Sequence, residues 1–174
     1  MRKLVIFDLD GTLLYTLEDL TNSVNFTLDL FDYETCTIDE ISSYVGNGVK
    51  QLMRRALPSD ISEKDFELCY ACFMDHYSKH CCEKTVPYPG IVDVLKVLKS
   101  RGIKIGVMSN KFQSAAEDVC EHYFEGLYDM VVGESEYCRR KPAPDGINMI
   151  CDRFDISKDE TIFFGDTEVD VRTG

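Results

Sequence analysis

Short apolar runs separated by helical patterns occur at the start of the chain and again from residue 90 onward. Four of these runs have strand length and are rich in β-forming residues: 3–7, 103–108, 128–132 and 161–164. The segments between them carry apolar residues at helical spacing, such as Val94, Leu95 and Leu98. Strands that alternate with helices predict βαβ units. We therefore expect an α/β protein whose three-layer, Rossmann-like core has a parallel sheet covered on both faces.

Residues 15–85 follow a different pattern, because apolar positions recur at helical spacing and no strand-like run interrupts them. The first apolar helix face consists of Leu17, Leu20, Val24, Leu28 and Phe31. Thr37 followed by Glu40 has the form of a capping box, which predicts the start of a second helix. Two further helical faces follow, at 49–57 and 66–77. The pattern predicts a helical insertion over 15–85 within a core made of 1–14 and 86–174.

Composition and charge exclude several classes of protein. Hydrophobic residues make up 44% and charged residues 29% of the 174 positions, as is typical of a folded protein. The formal net charge is −12, so we expect no binding to nucleic acid or to anionic membranes. The apolar runs are too short to span a membrane, and the first residues are too charged for a secretory signal. We therefore expect a cytoplasmic protein whose eight cysteines are reduced thiols.

Polar side chains follow the predicted strands. Asp8 and Asp10 come directly after the first strand, and Ser109 follows the second. Asp166 and Asp170 follow the last strand. Ligand sites in parallel sheets lie at the carboxyl ends of the strands, so these side chains are expected to meet. Several carboxylates at one sheet edge repel each other unless a cation lies between them, and their hard oxygen atoms favour Mg²⁺.

Taken together, these residues resemble the motifs of haloacid dehalogenase-like hydrolases. The four motifs, in order, are Asp8-x-Asp10-x-Thr12, Ser109, Lys141 before Pro142, and Gly165-Asp166-x-x-x-Asp170. The phosphoglycolate phosphatase-like branch is resembled in finer detail by Tyr44-Val45-Gly46-Asn47-Gly48, Pro87-Tyr88-Pro89-Gly90, Ser109-Asn110-Lys111 and Lys141-Pro142-Ala143-Pro144-Asp145. The resemblance covers essentially the whole chain, and it implies that the helical insertion is the mobile cap of this superfamily.

The resemblance implies a Mg²⁺-dependent phosphatase of small phosphomonoesters, with phosphoglycolate as the leading substrate. It implies that Asp8 is the nucleophile and forms an aspartyl-phosphate, which splits hydrolysis into two easier steps. Asp10 would protonate the leaving oxygen, later accept a proton from water, and bind the metal through its backbone carbonyl. Asp166 would complete the metal site with an oxygen of Asp8. Asp170 would bind the metal through water or orient its ligands.

Phosphate binding is implied for three further residues. Ser109, Asn110 and Lys141 would hold the phosphate oxygens, and Lys141 would also offset the charge of Asp8. Phosphoryl transfer depends mainly on positioning and charge stabilisation, so these residue types suit the reaction.

A basic group in the predicted insertion allows two interpretations. Lys50, Arg54 and Arg55 lie on one predicted helix. They form either a solvated face or a clamp for a carboxylate or second phosphate of the substrate when the cap closes. Closure would exclude water from the aspartyl-phosphate.

Other functions fit the same motifs. A phosphosugar mutase, a pyrophosphatase and a nucleotidase share the fold, although mutases carry a histidine shortly after the first motif and the three histidines here are His76, His80 and His122. A non-catalytic metabolite-binding module is an alternative from a different class. In each case the expected partner is a small phosphorylated metabolite, and the protein is expected to be a monomer or homodimer.

One helix stripe carries Cys69, Cys72, His76 and His80. A single helix cannot easily surround a metal ion tetrahedrally, and the neighbouring aromatic residues indicate that this face is packed. We therefore do not expect a zinc site there.

Overall fold

The computed structural model describes residues 2–174. The chain forms two compact units, one made of Met1–Tyr15 and Val86–Gly174, the other of Thr16–Thr85. The strands are β1 Leu4–Phe7, β2 Leu14–Tyr15, β3 Val86–Pro87, β4 Lys104–Phe112, β5 Met130–Glu134 and β6 Thr161–Phe164. The helices are α1 Leu17–Leu30, α2 Ile38–Tyr44, α3 Val49–Ala56, α4 Glu63–His80, α5 Ile91–Ser100, α6 Gln113–Phe124, α7 Asp145–Phe154 and α8 Glu168–Thr173.

The first unit contains a parallel four-stranded sheet in the order β5-β4-β1-β6. The central strand β1 pairs with β4 and β6, so that Leu4 lies opposite both Lys104 and Thr161. The α/β class with a parallel sheet is thereby confirmed. Strand β4 extends to Phe112, four residues beyond the predicted run, and its register with β5 shifts between Met108 and Phe112. The short antiparallel pair β2–β3 is not evident from the apolar pattern.

Both faces of the sheet are covered by helices. Leu4 and Ile6 form one core with Ile147 and Ile150 of α7. Val5, which alternates to the opposite face of β1, is also buried. Helices α5 and α6 contact β4, and α6 also contacts β5. All four residues of β1 are buried, as is typical of a central parallel strand.

The second unit consists of helices α1 to α4 around its own apolar core, which includes Leu20, Val24, Leu28, Ile41, Leu52, Phe66 and Phe73. Helix α2 begins with the capping box that the sequence predicts: the backbone N–H of Glu40 donates to the Thr37 hydroxyl and the Thr37 N–H donates to the Glu40 carboxylate. The carboxylate of Asp19, buried in α1, accepts hydrogen bonds from the N–H groups of Lys84 and Thr85. The last residues of this unit are therefore tied to its first helix.

No helix within residues 2–174 combines the length and apolar character that a membrane crossing needs.

Candidate active site

Three aspartates meet at the carboxyl edge of the sheet. Asp8 follows β1 directly, while Asp166 and Asp170 follow the neighbouring strand β6. One carboxylate oxygen from each lies within 4.8 Å of the others, with Asp8 and Asp170 buried and Asp166 exposed. Across residues 2–174, this is the one group of three or more histidine, cysteine or acidic side chains whose ligand atoms come so close together. Convergent carboxylate oxygens are a donor set suited to a hard divalent cation.

Two glycines make room for these carboxylates. Gly11 has φ +89°, and a Cβ atom there would lie 2.4 Å from an oxygen of Asp166. A Cβ atom at Gly165 would lie 2.3 Å from Cγ of Asp170. The carboxylates therefore occupy space that any other residue at either position would fill, and this close approach fits a site built for a small ion.

Hydrogen bonds orient the same carboxylates. The Thr12 hydroxyl donates to Asp166 at 2.9 Å. Asp170 is the third residue of α8 and accepts from the N–H of Thr167 at 3.0 Å, as part of a capping box. Both carboxylates of the last motif are thus oriented, Asp166 by a hydroxyl of the first motif and Asp170 by the loop that precedes its own helix.

Lys141 lies between two of the three aspartates. Its ammonium is 2.6 Å from Asp8 Oδ1 and 2.5 Å from Asp170 Oδ1, and all three residues are buried. Burial raises the pKa of Asp8 to about 7; Lys141 opposes this rise, and the charges of Asp170 and Asp10 add to it. For Asp170, burial raises the pKa, but hydrogen bonds from Lys141 and Thr167 outweigh it, so its pKa is lowered. The Lys141 ammonium thus favours the ionised form of Asp8 that a nucleophile needs, but burial has the larger effect on the Asp8 pKa.

Asp10 is not a member of the three-aspartate group. Its buried Oδ1 accepts no hydrogen bond from residues 2–174, and the Lys111 ammonium lies 3.4 Å from it. Lys111 is itself buried at the end of β4. The residue pattern alone predicts no role for Lys111, although Lys111 directly follows Ser109-Asn110 within the family motif.

Ser109 and Asn110 lie at the end of β4, where their side chains contact backbone groups. The Ser109 hydroxyl accepts from the N–H of Lys111 at 3.1 Å. The Asn110 side chain accepts from the N–H of Lys141 at 2.6 Å and donates to its carbonyl at 3.3 Å. The fold thus brings Ser109, Asn110 and Lys141 to the same edge as Asp8, while phosphate binding by them stays a prediction.

The basic residues of α3 have partners within their own unit. The Lys50 ammonium lies 2.8 Å from Glu67, and the Arg54 guanidinium lies 2.5 Å from Glu63. The Arg54 guanidinium also lies 3.4 Å from the ring centroid of Phe66. Arg55 donates to the carbonyl of Tyr44 at 2.8 Å. These contacts join α3 to α4 and α2; a substrate clamp formed by Lys50, Arg54 and Arg55 stays a prediction.

The cysteine and histidine stripe of α4 takes part in packing. Cys69 is buried in the apolar core of its unit. His76 stacks on Phe26 with ring centroids 4.0 Å apart, and its Nδ1 lies 3.0 Å from the Ser23 hydroxyl.

Comparison with known proteins bears directly on this site. Residues 5–174 match the sequence model of the haloacid dehalogenase-like hydrolases. The chain belongs to this family. Phosphoglycolate phosphatase from Aquifex aeolicus is 29% identical over 99% of the chain and 79% of its own length. Phosphoglycolate phosphatase 1 from Pseudomonas aeruginosa is 32% identical over 97% of the chain and 64% of its own length.

The same relationship holds at the level of structure. The crystal structure of a protein from Lactobacillus delbrueckii subsp. bulgaricus superposes on this chain with a TM-score of 0.93. The two proteins are 31% identical in sequence, and the match covers 99% of this chain and 82% of the Lactobacillus protein. The resemblance to haloacid dehalogenase-like hydrolases and to their phosphoglycolate phosphatase-like branch is therefore confirmed. Membership of this family also confirms the prediction of an enzyme of the hydrolase class.

Proposed function

We propose that the chain is a Mg²⁺-dependent phosphatase that hydrolyses small phosphomonoesters through an aspartyl-phosphate on Asp8. The observation that carries the proposal is the position of Asp8, buried within 4.8 Å of two further aspartates and 2.6 Å from the Lys141 ammonium. Three neighbouring carboxylates and an anionic phosphate repel one another. Asp8 can therefore attack phosphorus only if positive charge offsets this repulsion. Family membership and the phosphatases among its relatives support the same reaction.

Four aspartates would hold the metal, and the close approach of three of them supports this part of the proposal. Asp8 and Asp166 would bind Mg²⁺ directly, Asp170 directly or through water, and Asp10 through its backbone carbonyl. When bound, the ion would supply positive charge to the phosphate and would bring phosphorus and nucleophile together. The space left by Gly11 and Gly165 for the carboxylates fits this role.

Asp8 would perform the first chemical step. The Leu9 N–H and the Lys141 ammonium both donate to Oδ1, so Oδ2 is the oxygen that attacks phosphorus. As the bond from Oδ2 to phosphorus forms, the bond from phosphorus to the leaving oxygen breaks. Asp10, in its protonated form, gives its proton to that oxygen. The products of this step are an alcohol and an aspartyl-phosphate.

Hydrolysis of the aspartyl-phosphate would follow. Asp10, now ionised, takes a proton from water while the water oxygen bonds to phosphorus. The bond between phosphorus and Oδ2 of Asp8 then breaks, which releases inorganic phosphate and restores both aspartates. Lys141 and Ser109 would hold phosphate oxygens throughout, and Lys111 would add a second positive charge beside Asp10.

Phosphoglycolate is the substrate we favour, because the relatives named above carry that activity in their names. The helical unit at 16–85 would act as the cap, and Lys50, Arg54 and Arg55 would recognise the substrate carboxylate after exchanging their present partners. All eight cysteines are thiols in the structure, which suits a reducing compartment such as the cytoplasm.

The direct test is turnover of p-nitrophenyl phosphate and phosphoglycolate with Mg²⁺ and with EDTA. We expect hydrolysis that requires Mg²⁺ and that Asp8→Asn abolishes, because an amide cannot replace the carboxylate nucleophile. Asp152→Asn, an exposed substitution on α7, is the matched control and should retain full activity. Binding of phosphate esters without turnover, or full turnover by Asp8→Asn, would overturn the proposal.

A further inference from the structure

The side chain of Asn110 holds the backbone of Lys141 at both of its polar groups. Asn110 Oδ1 accepts from the Lys141 N–H at 2.6 Å, and Asn110 Nδ2 donates to the Lys141 carbonyl at 3.3 Å. The two residues are 31 positions apart; Asn110 lies in the last part of β4, and Lys141 lies in the loop before α7. This pair of bonds fixes both the position and the direction of the Lys141 peptide groups relative to the sheet.

Few other backbone groups near Lys141 can be held in this way. The following residue is Pro142, which has no amide hydrogen. The next backbone contact after it is the N–H of Ala143, which donates to the carbonyl of Arg140 within the same loop. The bonds from Asn110 therefore tie this loop to the sheet at the residue whose side chain enters the site.

The Lys141 side chain makes two buried ionic contacts at the same time. Its ammonium must lie within hydrogen-bond distance of Asp8 and Asp170 at once, and both contacts are buried. A lysine side chain has four rotatable bonds, so a displaced backbone would let the ammonium settle elsewhere. A shift of about 1 Å in a catalytic group can lower a rate by about 100-fold.

We propose that Asn110 is a positioning residue that acts through Lys141, and that its side chain does not bind the phosphate. This inference rests on the proposed function, because it assumes that Lys141 serves the reaction. The family resemblance implies that Asn110 binds phosphate; the role proposed here for its side chain is instead to position Lys141. The carboxamide oxygen accepts from the Lys141 N–H and the carboxamide nitrogen donates to the Lys141 carbonyl, so both polar atoms of the side chain are directed at the Lys141 backbone.

The chain contains a matched control. Asn25 forms the same reciprocal pair with the backbone of Cys36, at 2.9 Å to the N–H and 2.8 Å to the carbonyl. This pair lies in the helical unit, between α1 and the segment before α2. Asn25→Ala therefore removes the same two hydrogen bonds and the same side-chain atoms as Asn110→Ala, in the unit that does not contain the sheet.

The experiment is a double-mutant cycle on the full chain with p-nitrophenyl phosphate and Mg²⁺. The variants are Asn110→Ala, Lys141→Gln, their combination, and Asn25→Ala. We expect Asn110→Ala to lower kcat by about 10- to 100-fold with little change in KM. The same substitution should cause no further loss in the Lys141→Gln background, because it acts through that lysine. Asn25→Ala should keep the wild-type kcat despite a similar loss of thermal stability.

A second measurement does not depend on activity or on the folding of Lys141→Gln. The acetylation rate of Lys141 by an amine-reactive reagent, followed by peptide mass spectrometry, reports how firmly the ammonium is held. We expect faster acetylation of Lys141 in Asn110→Ala than in the wild type or in Asn25→Ala.

An unchanged kcat or an unchanged acetylation rate of Lys141 in Asn110→Ala would overturn the inference. An equal loss of kcat when Asn110→Ala is made in the wild type and in Lys141→Gln would also overturn it, because such a loss would indicate that Asn110 contacts the phosphate directly. Full activity of Lys141→Gln would instead contradict the proposed function, so the two failures are distinguishable.

Discussion

The hydroxyl of Thr12 donates a hydrogen bond to the carboxylate of Asp166 across 154 positions of the chain, at 2.9 Å. This bond connects the loop after β1 with the loop after β6, and so joins the first and last motifs. Side chains that orient metal ligands in this way commonly affect metal affinity as much as activity. Thr12 is therefore a direct way to test the metal site without removing a carboxylate.

We predict that Thr12→Val weakens the apparent Mg²⁺ affinity by about 10-fold or more, because Asp166 loses its orienting donor. The measurement is the Mg²⁺ concentration that gives half-maximal hydrolysis of p-nitrophenyl phosphate. Thr12→Ser keeps the hydroxyl and should behave nearly as the wild type. Equal Mg²⁺ dependence of the valine and wild-type proteins would show that this hydrogen bond does not support a metal ligand.

Gly165→Ala tests whether Asp170 must lie against the backbone of the preceding loop. The added Cβ atom would lie 2.3 Å from Cγ of Asp170, so the carboxylate would have to move away from Lys141. We expect activity to fall strongly and unfolding to become easier by about 1–3 kcal/mol, as for other overpacked sites. Thermal unfolding and turnover measured on the same sample check this. Normal activity in Gly165→Ala would show that the position of Asp170 is unimportant.

Asp129 gives a pH-dependent contribution to stability outside the site. Its carboxylate accepts from the Ile105 N–H at 2.9 Å and from the Lys104 ammonium at 3.0 Å. Burial raises its pKa, but these hydrogen bonds outweigh burial, so the pKa lies below the usual 3.8. A lowered folded-state pKa stabilises the fold above the unfolded-state pKa, and this stabilisation is lost as pH falls through the folded-state value.

We therefore predict that Asp129→Asn lowers the free energy of unfolding at pH 7 and that the difference from the wild type shrinks below about pH 4. Denaturant unfolding at several pH values provides the measurement. Asp118→Asn, an exposed position on α6, serves as the control and should show little effect at any pH. A deficit for Asp129→Asn that persists unchanged at pH 3 would contradict the role of the ionised carboxylate.

Alanine substitutions of the basic residues of α3 test whether these residues bind the substrate or only stabilise the helical unit. Arg54 contacts both Glu63 and Phe66, so Arg54→Ala should lower stability. If the group also recognises a substrate carboxylate, alanine at Lys50, Arg54 or Arg55 should lower kcat/KM for phosphoglycolate more than for p-nitrophenyl phosphate. We expect this preferential loss to be about 10-fold for at least one of the three, as for a charged hydrogen bond to substrate. An equal change for both substrates in all three variants would restrict these residues to a structural role.

The sequence predicted the parts of the fold and site that depend on local pattern. Buried strands such as β1 read as continuous apolar runs, and the aspartates directly after β1 and β6 follow from where those strands end. The family motifs then indicated that Asp8 and Asp166 belong to one site, and the structure places them within 4.8 Å.

Contacts that depend on strand order and on the paths of individual side chains could not be predicted. The approach of Lys111 to Asp10 requires β4 to lie next to β1 and to extend beyond its apolar run. The hydrogen bonds between Asn110 and the backbone of Lys141 depend on how the loop before α7 returns to the sheet. No periodicity in the sequence encodes either relationship, because both join residues far apart in the chain.

The most direct test of the central claim is to locate the phosphoryl group during turnover. Asp10→Asn should still allow attack by Asp8 on an activated ester but should slow hydrolysis, since no carboxylate accepts a proton from water. After incubation with Mg²⁺ and p-nitrophenyl phosphate and an acid quench, mass spectrometry of the peptides should find the phosphoryl group on Asp8. It should be absent when Asp8→Asn is added. Turnover by the wild type together with an unmodified Asp8 in the quenched Asp10→Asn protein would contradict the account.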